Sequence, residues 1–280
     1  MTPTDLALLH ATVIDATGGR PRPDATVVVR AGRITALGRF GDTHVPRGVR
    51  KLDLRGKFVV PGLCDVRVHG GDPALLLANG ITTVPPPLPP RRVALDPAEF
   101  VRPAPPHVPA LARHLVLDRP SLLSADDYRL KYLPPSIRES WRWTLARLRR
   151  KPDQRALFEH RLRFTGALRR AGVPILAGTD TGAPWVFPGF ALHDELAFLV
   201  DAGCTPMQAL QAATKEPARH LGRSATHGTV TRGKVADLLV LDADPLADIR
   251  NTRKIHSIVA GGAYVSPADR AQLLSTAAAA

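Results

Sequence analysis

The sequence predicts an α/β fold, and three observations carry that reading. Short β-branched runs separated by glycine-containing turns fill the first sixty residues and recur from about 234 to 265. Helical periodicity dominates from about 137 to 222. Between two helical stretches, Val173-Pro174-Ile175-Leu176-Ala177 is a short apolar run that ends in Gly178-Thr179-Asp180, the pattern of a buried parallel strand with polar residues at its C-terminal end.

Taken in chain order, Val27 to Arg30, the turn Ala31-Gly32 and Arg33 to Gly38 predict a hairpin. Leu52 to Leu54 and Phe58 to Val60 predict two more strands around Gly56. Residues 85–109 hold 10 of the 27 prolines. Proline lacks an amide donor and fixes φ, so this stretch reads as a linker or irregular loop, with a polyproline II ligand as the functional alternative. Ile137, Trp141, Leu145 and Leu148 lie at spacings of four, four and three, with Arg138, Arg142, Arg147, Arg149 and Arg150 mostly opposite, which predicts an amphipathic helix. Leu157, Arg161, Phe164 and Leu168 predict a second, stopped at Gly172. A third is expected over 192–201, and Thr205, Pro206 and Gln208 form the capping box of a fourth. Ala236 to Leu241, Ile255 to Ala260, Gly261-Gly262 and Ala263 to Val265 predict closing strands, with 271–280 as a tail.

Composition sets the outer limits. A chain of 280 residues that is 44% hydrophobic and 22% charged can bury a sizeable core, which excludes wholesale disorder. No apolar run approaches the roughly 18 to 20 residues that span a bilayer, and the start carries no basic region followed by an apolar stretch. The expectation is a soluble cytoplasmic protein with no membrane partner. Cys64 and Cys204 are too few for a disulfide framework. The formal charge of +13 is local: residues 85–179 hold 18 Lys and Arg against 8 Asp and Glu. Of the 38 basic residues 31 are Arg, a bias that genome composition produces as readily as phosphate binding does.

Two blocks carry a family resemblance. Residues 13–69 contain Val13-Ile14-Asp15-Ala16, Asp24-Ala25, Gly32-Arg33-Ile34, Asp53-Leu54-Arg55-Gly56-Lys57 and Pro61-Gly62-Leu63-Cys64-Asp65-Val66-Arg67-Val68-His69. Residues 171–265 contain Ala171 to Asp180, Leu192-His193-Asp194-Glu195-Leu196, Ala202 to Pro206, Ala212-Ala213-Thr214, Gly228-Thr229-Val230 and Gly233 to Leu238. Their order resembles the amidohydrolase superfamily, in its imidazolonepropionase-like and Xaa-Pro dipeptidase-like branch. The resemblance implies a (β/α)₈ TIM-type barrel with a small composite β-sandwich built from both termini, over 1–60 and 225–270, and a barrel domain over 61–224. It implies one or two divalent metals, zinc above all, at the C-terminal ends of the strands, where a bound water attacks an amide or ester carbonyl. By resemblance His69 is a metal ligand on the first strand, Asp180 a metal ligand and catalytic base on the last, and His193 a substrate-binding residue.

The chain departs from that pattern in two ways. Arg67 stands where the signature has its first histidine, and a guanidinium has no lone pair to donate. The match also breaks after Gly80-Ile81-Thr82-Thr83-Val84 and resumes only near His107-Val108-Pro109. A complete barrel takes about 30 residues per unit, whereas 61–224 supply 164 in all, and the proline stretch and Arg-rich helices use many of those. The expected architecture is therefore an incomplete barrel of three or four strands, internally truncated, whose open edges invite association between copies. Its expected function is metal-dependent hydrolysis of carbon-nitrogen bonds in small amides or cyclic amides, with an incomplete and inactive metal site. The alternative is a non-catalytic relic or binding protein whose Arg-rich middle takes an acidic partner, nucleic acid being the less favoured one. His107, His114 and His160 have no ligand-like spacing and read as ordinary histidines, and Asp194 and Glu195 as favouring the first turn of a helix.

Overall fold

We analysed a computed structural model that describes residues 2–85 and 106–279. Most of the expected proline-rich loop, 86–105, lies outside the described residues. The chain begins with β1 (Leu6–Val13), β2 (Arg22–Arg30), β3 (Arg33–Arg39), β4 (Arg50–Asp53) and β5 (Phe58–Pro61) and ends with β8 (Leu238–Leu241), β9 (Ile255–Ala260) and β10 (Ala263–Val265). All eight belong to one mixed sheet, ordered β10-β9-β8-β5-β1-β2-β3 with β4 on β1. The expected hairpin is present: Ala31 and Gly32 both take positive φ, 46° and 77°, as a two-residue turn of this hand requires. The sheet curls until Arg33 bridges Val235, just ahead of β8.

Leu238 to Leu241 are buried on both sides, and their alternation divides the molecule's cores. Val59, Leu238, Val240 and Val259 point into the curl of the sheet against Leu6, Leu8, Val27, Val29 and Ile34. Val60, Leu239, Leu241 and Ile258 point the other way, against Leu63, Ile81, Leu192, Leu196 and Leu210. The three strands are thus the wall shared by the terminal sheet and the α/β layer.

That layer contains β6 (Leu63–Cys64), α1 (Pro73–Ala78), β7 (Ile81–Thr83), α2 (Leu111–Asp118), α3 (Pro135–Leu148), α4 (Arg155–Arg170), α5 (Phe190–Asp201), α6 (Pro206–Ala212) and α7 (Lys215–His220). β6 and β7 pair in parallel. Residues 173–177, expected as a regular strand, instead form part of an extended segment joined to its neighbours at single points. Val68 bridges Thr181 on one side and His107 bridges Ile175 on the other, both in parallel. Four parallel segments therefore lie side by side, in the order 81–83, 63–69, 175–181 and 107. The Thr205–Gln208 capping box is present, with Pro206 in the first turn of α6. The expected tail is a correction: residues 267–279 form α8 (Pro267–Ala279). Ser266 and Asp269 bond reciprocally at its start, and the alanine-rich sequence then favours helix. Arg270 Nε anchors α8 by donating to the Ala78 carbonyl, 2.7 Å away.

A third core joins α2 and α3 to the loop before α5. Trp141 and Phe187 rings meet at 5.3 Å, and Trp185 Nε1 donates to the Trp141 carbonyl at 2.7 Å. α4 comes so close to the end of α5 that a Cβ on Gly166 would lie 2.2 Å from the Ala202 carbonyl oxygen. Gly166→Ala, which raises helix propensity on an open helix, is therefore expected to destabilise this protein by about 1–3 kcal/mol through overpacking. Thermal unfolding checks it, and a raised transition temperature refutes the close approach.

Glu195, fully buried in α5, does not stabilise its own helix as the sequence suggested. α2 starts at Ala110 with no side-chain cap, and Glu195 Oε2 accepts from the Ala112 amide at 2.7 Å, while Oε1 is buried without a partner. Burial pushes the Glu195 carboxyl up to about 8, and Asp65 up to about 6. The fold therefore holds protons that the unfolded chain releases, so stability is full below the ordinary carboxylate range and is lost as pH rises through the folded values. Glu195→Gln keeps the acceptor without the charge. Its transition temperature is expected to match the parent's near about pH 4 and to exceed it near about pH 9, read by thermal unfolding across pH.

Candidate functional site at the strand ends

Asp65 follows β6 directly and is wholly buried. Its Oδ1 accepts from the Arg67 and Thr179 amides, each at 3.1 Å, and its Oδ2 accepts from the Thr179 hydroxyl at 2.6 Å. The Thr181 hydroxyl adjoins that of Thr179. Two of these bonds tie Asp65 to Thr179, more than a hundred residues away in sequence. Gly178 permits the approach, since a Cβ there would meet Val108 at 2.7 Å and Val66 at 2.9 Å.

This clasp places Asp180 at the C-terminal ends of the segments. Its backbone is left-handed, with φ of 64°, an uncommon and costly state for a side chain of this kind, and its amide donates to the Arg67 carbonyl at 2.9 Å. The carboxylate is 20% exposed and is surrounded by two guanidinium groups and an imidazole. Arg67 Nε lies 3.0 Å and His69 Nε2 3.1 Å from Oδ1, and Arg113 Nε lies 3.5 Å from Oδ2. His69 and Asp180, paired by resemblance, are therefore neighbours. Arg113 was not foreseen, because nothing in its local sequence marks it. It arrives through the positive-φ turn at Ala110 and the Glu195 bond at the start of α2.

His193 lies elsewhere. It is 2% exposed, and its ring nitrogens are taken internally, Nδ1 by the Thr252 hydroxyl at 3.0 Å and Nε2 by the Asn79 carbonyl at 2.9 Å. Burial pushes its imidazole down to about 4, so it stays neutral and ties α5 to the end of α1. Both ring nitrogens are thus engaged within the protein, and neither is free for the substrate contact that the resemblance implied. Asp194 pairs with Arg129 at 2.9 Å and with Arg253. His107, His114 and His160, unremarkable by spacing, converge on one cavity of about 240 Å³ around Phe164 and Arg161.

Can the Asp180 cluster hold a divalent metal? Zinc catalysis needs three lone-pair donors and an open position. His69 and Asp180 supply two, and the adjoining groups are guanidinium ions that supply none. Among the described residues no three His, Cys, Asp or Glu side chains are grouped to hold a metal. The residues present do not fit that group.

A family model described as "Amidohydrolase family" matches residues 134–265. Imidazolonepropionase of Pseudomonas savastanoi pv. phaseolicola is 40% identical over 88 residues, 30% of this chain and 21% of that protein. The N-acyl-D-aspartate deacylase of Alcaligenes xylosoxydans xylosoxydans is 42% identical over 89 residues, 29% of this chain and 17% of that protein. The chain thus spans about a fifth of the length of the curated relatives it matches. Among solved structures, bottromycin amidohydrolase superposes with a TM-score of 0.68 at 19% identity, covering 97% of this chain and 90% of that one. A Xaa-Pro dipeptidase superposes with a TM-score of 0.61 at 14% identity, covering 94% of this chain and 100% of the other. The shared fold and the family-model match over residues 134–265 point the same way: the chain resembles amidohydrolases in fold, and in sequence over that stretch.

Proposed function

We propose that this chain is an amidohydrolase-type hydrolase by descent, of the class that cleaves carbon-nitrogen bonds in small amides or cyclic amides, in which an internal guanidinium stands in the metal position. The observation that carries the proposal is Arg67 Nε, 3.0 Å from Asp180 Oδ1, at the place where the family signature has a histidine. On this reading the four parallel segments are four adjacent strands of an eight-stranded barrel, and 1–60 with 225–270 form the composite sandwich beside it. The barrel is incomplete, and its outer segments, 81–83 and 107, are edges onto which a second copy of the chain can pair. Two buried cysteines suit a cytoplasmic protein, and no described helix is long and apolar enough to cross a membrane.

The chemistry follows from the charges. A carboxylate that serves as a base must present a lone pair to a water molecule. Both oxygens of Asp180 face cationic groups instead, so this chain's residues hold Asp180 in place and neutralise it, and no hydrolytic step is assigned to it. A second reading, a binding protein for an acidic partner, draws support from the outer faces of α3 and α4. Arg142, Arg147, Arg150, Arg155, Arg163 and Arg170 are exposed there, and Arg147 lies over the exposed Trp143 ring at 4.9 Å.

Metal analysis separates the outcomes. After reconstitution with zinc, manganese or cobalt and removal of excess, the protein is expected to retain less than about a tenth of an equivalent, whereas Arg67→His, which adds a third donor, is expected to retain more. A full equivalent in the unmodified protein, with turnover of a simple amide, overturns the proposal.

A further inference from the structure

At the opposite end of the parallel segments, where α1 runs into β7, a cleft of about 440 Å³ opens between α5, α8 and residues 127–129. Asp180 is not among its lining residues, and its volume falls within the usual range of small-molecule sites. Three guanidinium groups line it, Arg129, Arg253 and Arg270, against two carboxylates, Asp127 and Asp194. The pairing is uneven. Arg129 engages Asp127 at 2.7 Å and Asp194 at 2.9 Å, and its guanidinium lies over the Phe187 ring at 4.3 Å. Arg253 takes the other oxygen of Asp194. These two cations and two carboxylates neutralise one another.

Arg270 is the surplus. Its Nε donates to the Ala78 carbonyl at 2.7 Å, and no carboxylate pairs with it among the described residues. Asp242 acts on it only as a more distant charge and is itself paired with Lys57 at 2.6 Å. Burial pushes the Arg270 guanidinium down from its ordinary range, which records the cost of keeping a partly desolvated cation without a counterion. A guanidinium stays charged at such a cost, and a planar carboxylate is the anion that matches its fork.

The wall of the cleft is aromatic. Tyr128 is 66% exposed and meets Phe190 edge to face at 6.2 Å, while Tyr132 lies against Phe190 at 5.3 Å. An exposed ring of this size beside an unpaired cation suits a ligand with one flat apolar end and one charged end. We propose that this cleft binds a small planar monocarboxylate, with Arg270 as its counterion and the rings of Tyr128 and Phe190 as its apolar wall. The net charge of the lining, one positive, selects a monoanion over a dianion.

Calorimetric titration of the full chain with benzoate tests this, with benzamide as the neutral isostere and inorganic phosphate as a non-planar anion. Benzoate is expected to saturate one site and to bind more tightly than either control. Arg270→Gln is expected to weaken it about tenfold or more, the size of a hydrogen bond to a charged group. Arg270 also anchors α8, so its variant is read beside Tyr128→Ala, an exposed position whose loss is expected to weaken benzoate several-fold without lowering the unfolding temperature. The proposal is overturned if benzoate shows no saturable binding, if benzamide binds equally well, or if both variants bind benzoate as the parent does.

Discussion

The buried carboxylate of Asp65 is the constraint on which the rest of the site depends. It lies just after β6, shut off from solvent, and its oxygens accept from the amides of Arg67 and Thr179 and from the Thr179 hydroxyl, which Thr181 adjoins in turn. A buried acceptor so placed is costly to leave unmet, so the two segments have one register in which they can dock. That register puts Arg67 and His69 against Asp180. The strained φ of Asp180 fits the same logic, since such a conformation persists only where the surroundings over-determine it, and here bonds on both sides of the residue do so.

A second constraint is the shared wall. β5, β8 and β9 are buried on two faces, so the terminal sheet and the α/β layer cannot separate without exposing Val60, Leu239, Leu241 and Ile258 to water. At roughly 25 cal/mol per Å², four such side chains contribute several kcal/mol, on the scale of a whole domain's net stability. The first sixty residues, the last fifty and the parallel segments thus form one cooperative body. α8 extends this coupling, because Arg270 ties the C-terminus to α1, immediately ahead of β7.

The features legible in sequence are those set by local chemistry. The Ala31-Gly32 and Gly261-Gly262 turns, the capping box at Thr205 and the helical stripes of α3 and α4 follow from φ preferences, cap geometry and periodicity, which a short window contains. His69 and Asp180 were legible because they belong to motifs. Arg113 was not, because it reaches Asp180 only through a turn at Ala110 and a bond from Glu195, 83 residues on. Glu195 itself read as a first-turn residue of its own helix, since its buried role depends on which helix end lies opposite. The burial of His193 was not legible for the same reason, since the packing of α1 and residues 249–253 against α5 sets it. Residues 271–279, featureless in composition, gained structure from a Ser266–Asp269 cap just upstream.

The local basicity also changes meaning. In sequence a surface for an acidic partner was only the alternative reading of it. In the fold, much of it stabilises the segment that bears it: Arg161 pairs at 2.8 Å with the buried Asp118, Arg119 at 3.1 Å with Asp153, and Arg129 with both Asp127 and Asp194. These pairs join α2 to α4 and residues 127–129 to α5. Arginine suits that task because its fork holds two partners at once and its charge persists when partly buried. The same property makes Arg67 and Arg113 effective at Asp180. A guanidinium that clamps carboxylates throughout the middle of the chain clamps Asp180 as well, so the scaffold and the Asp180 cluster follow from one chemical choice.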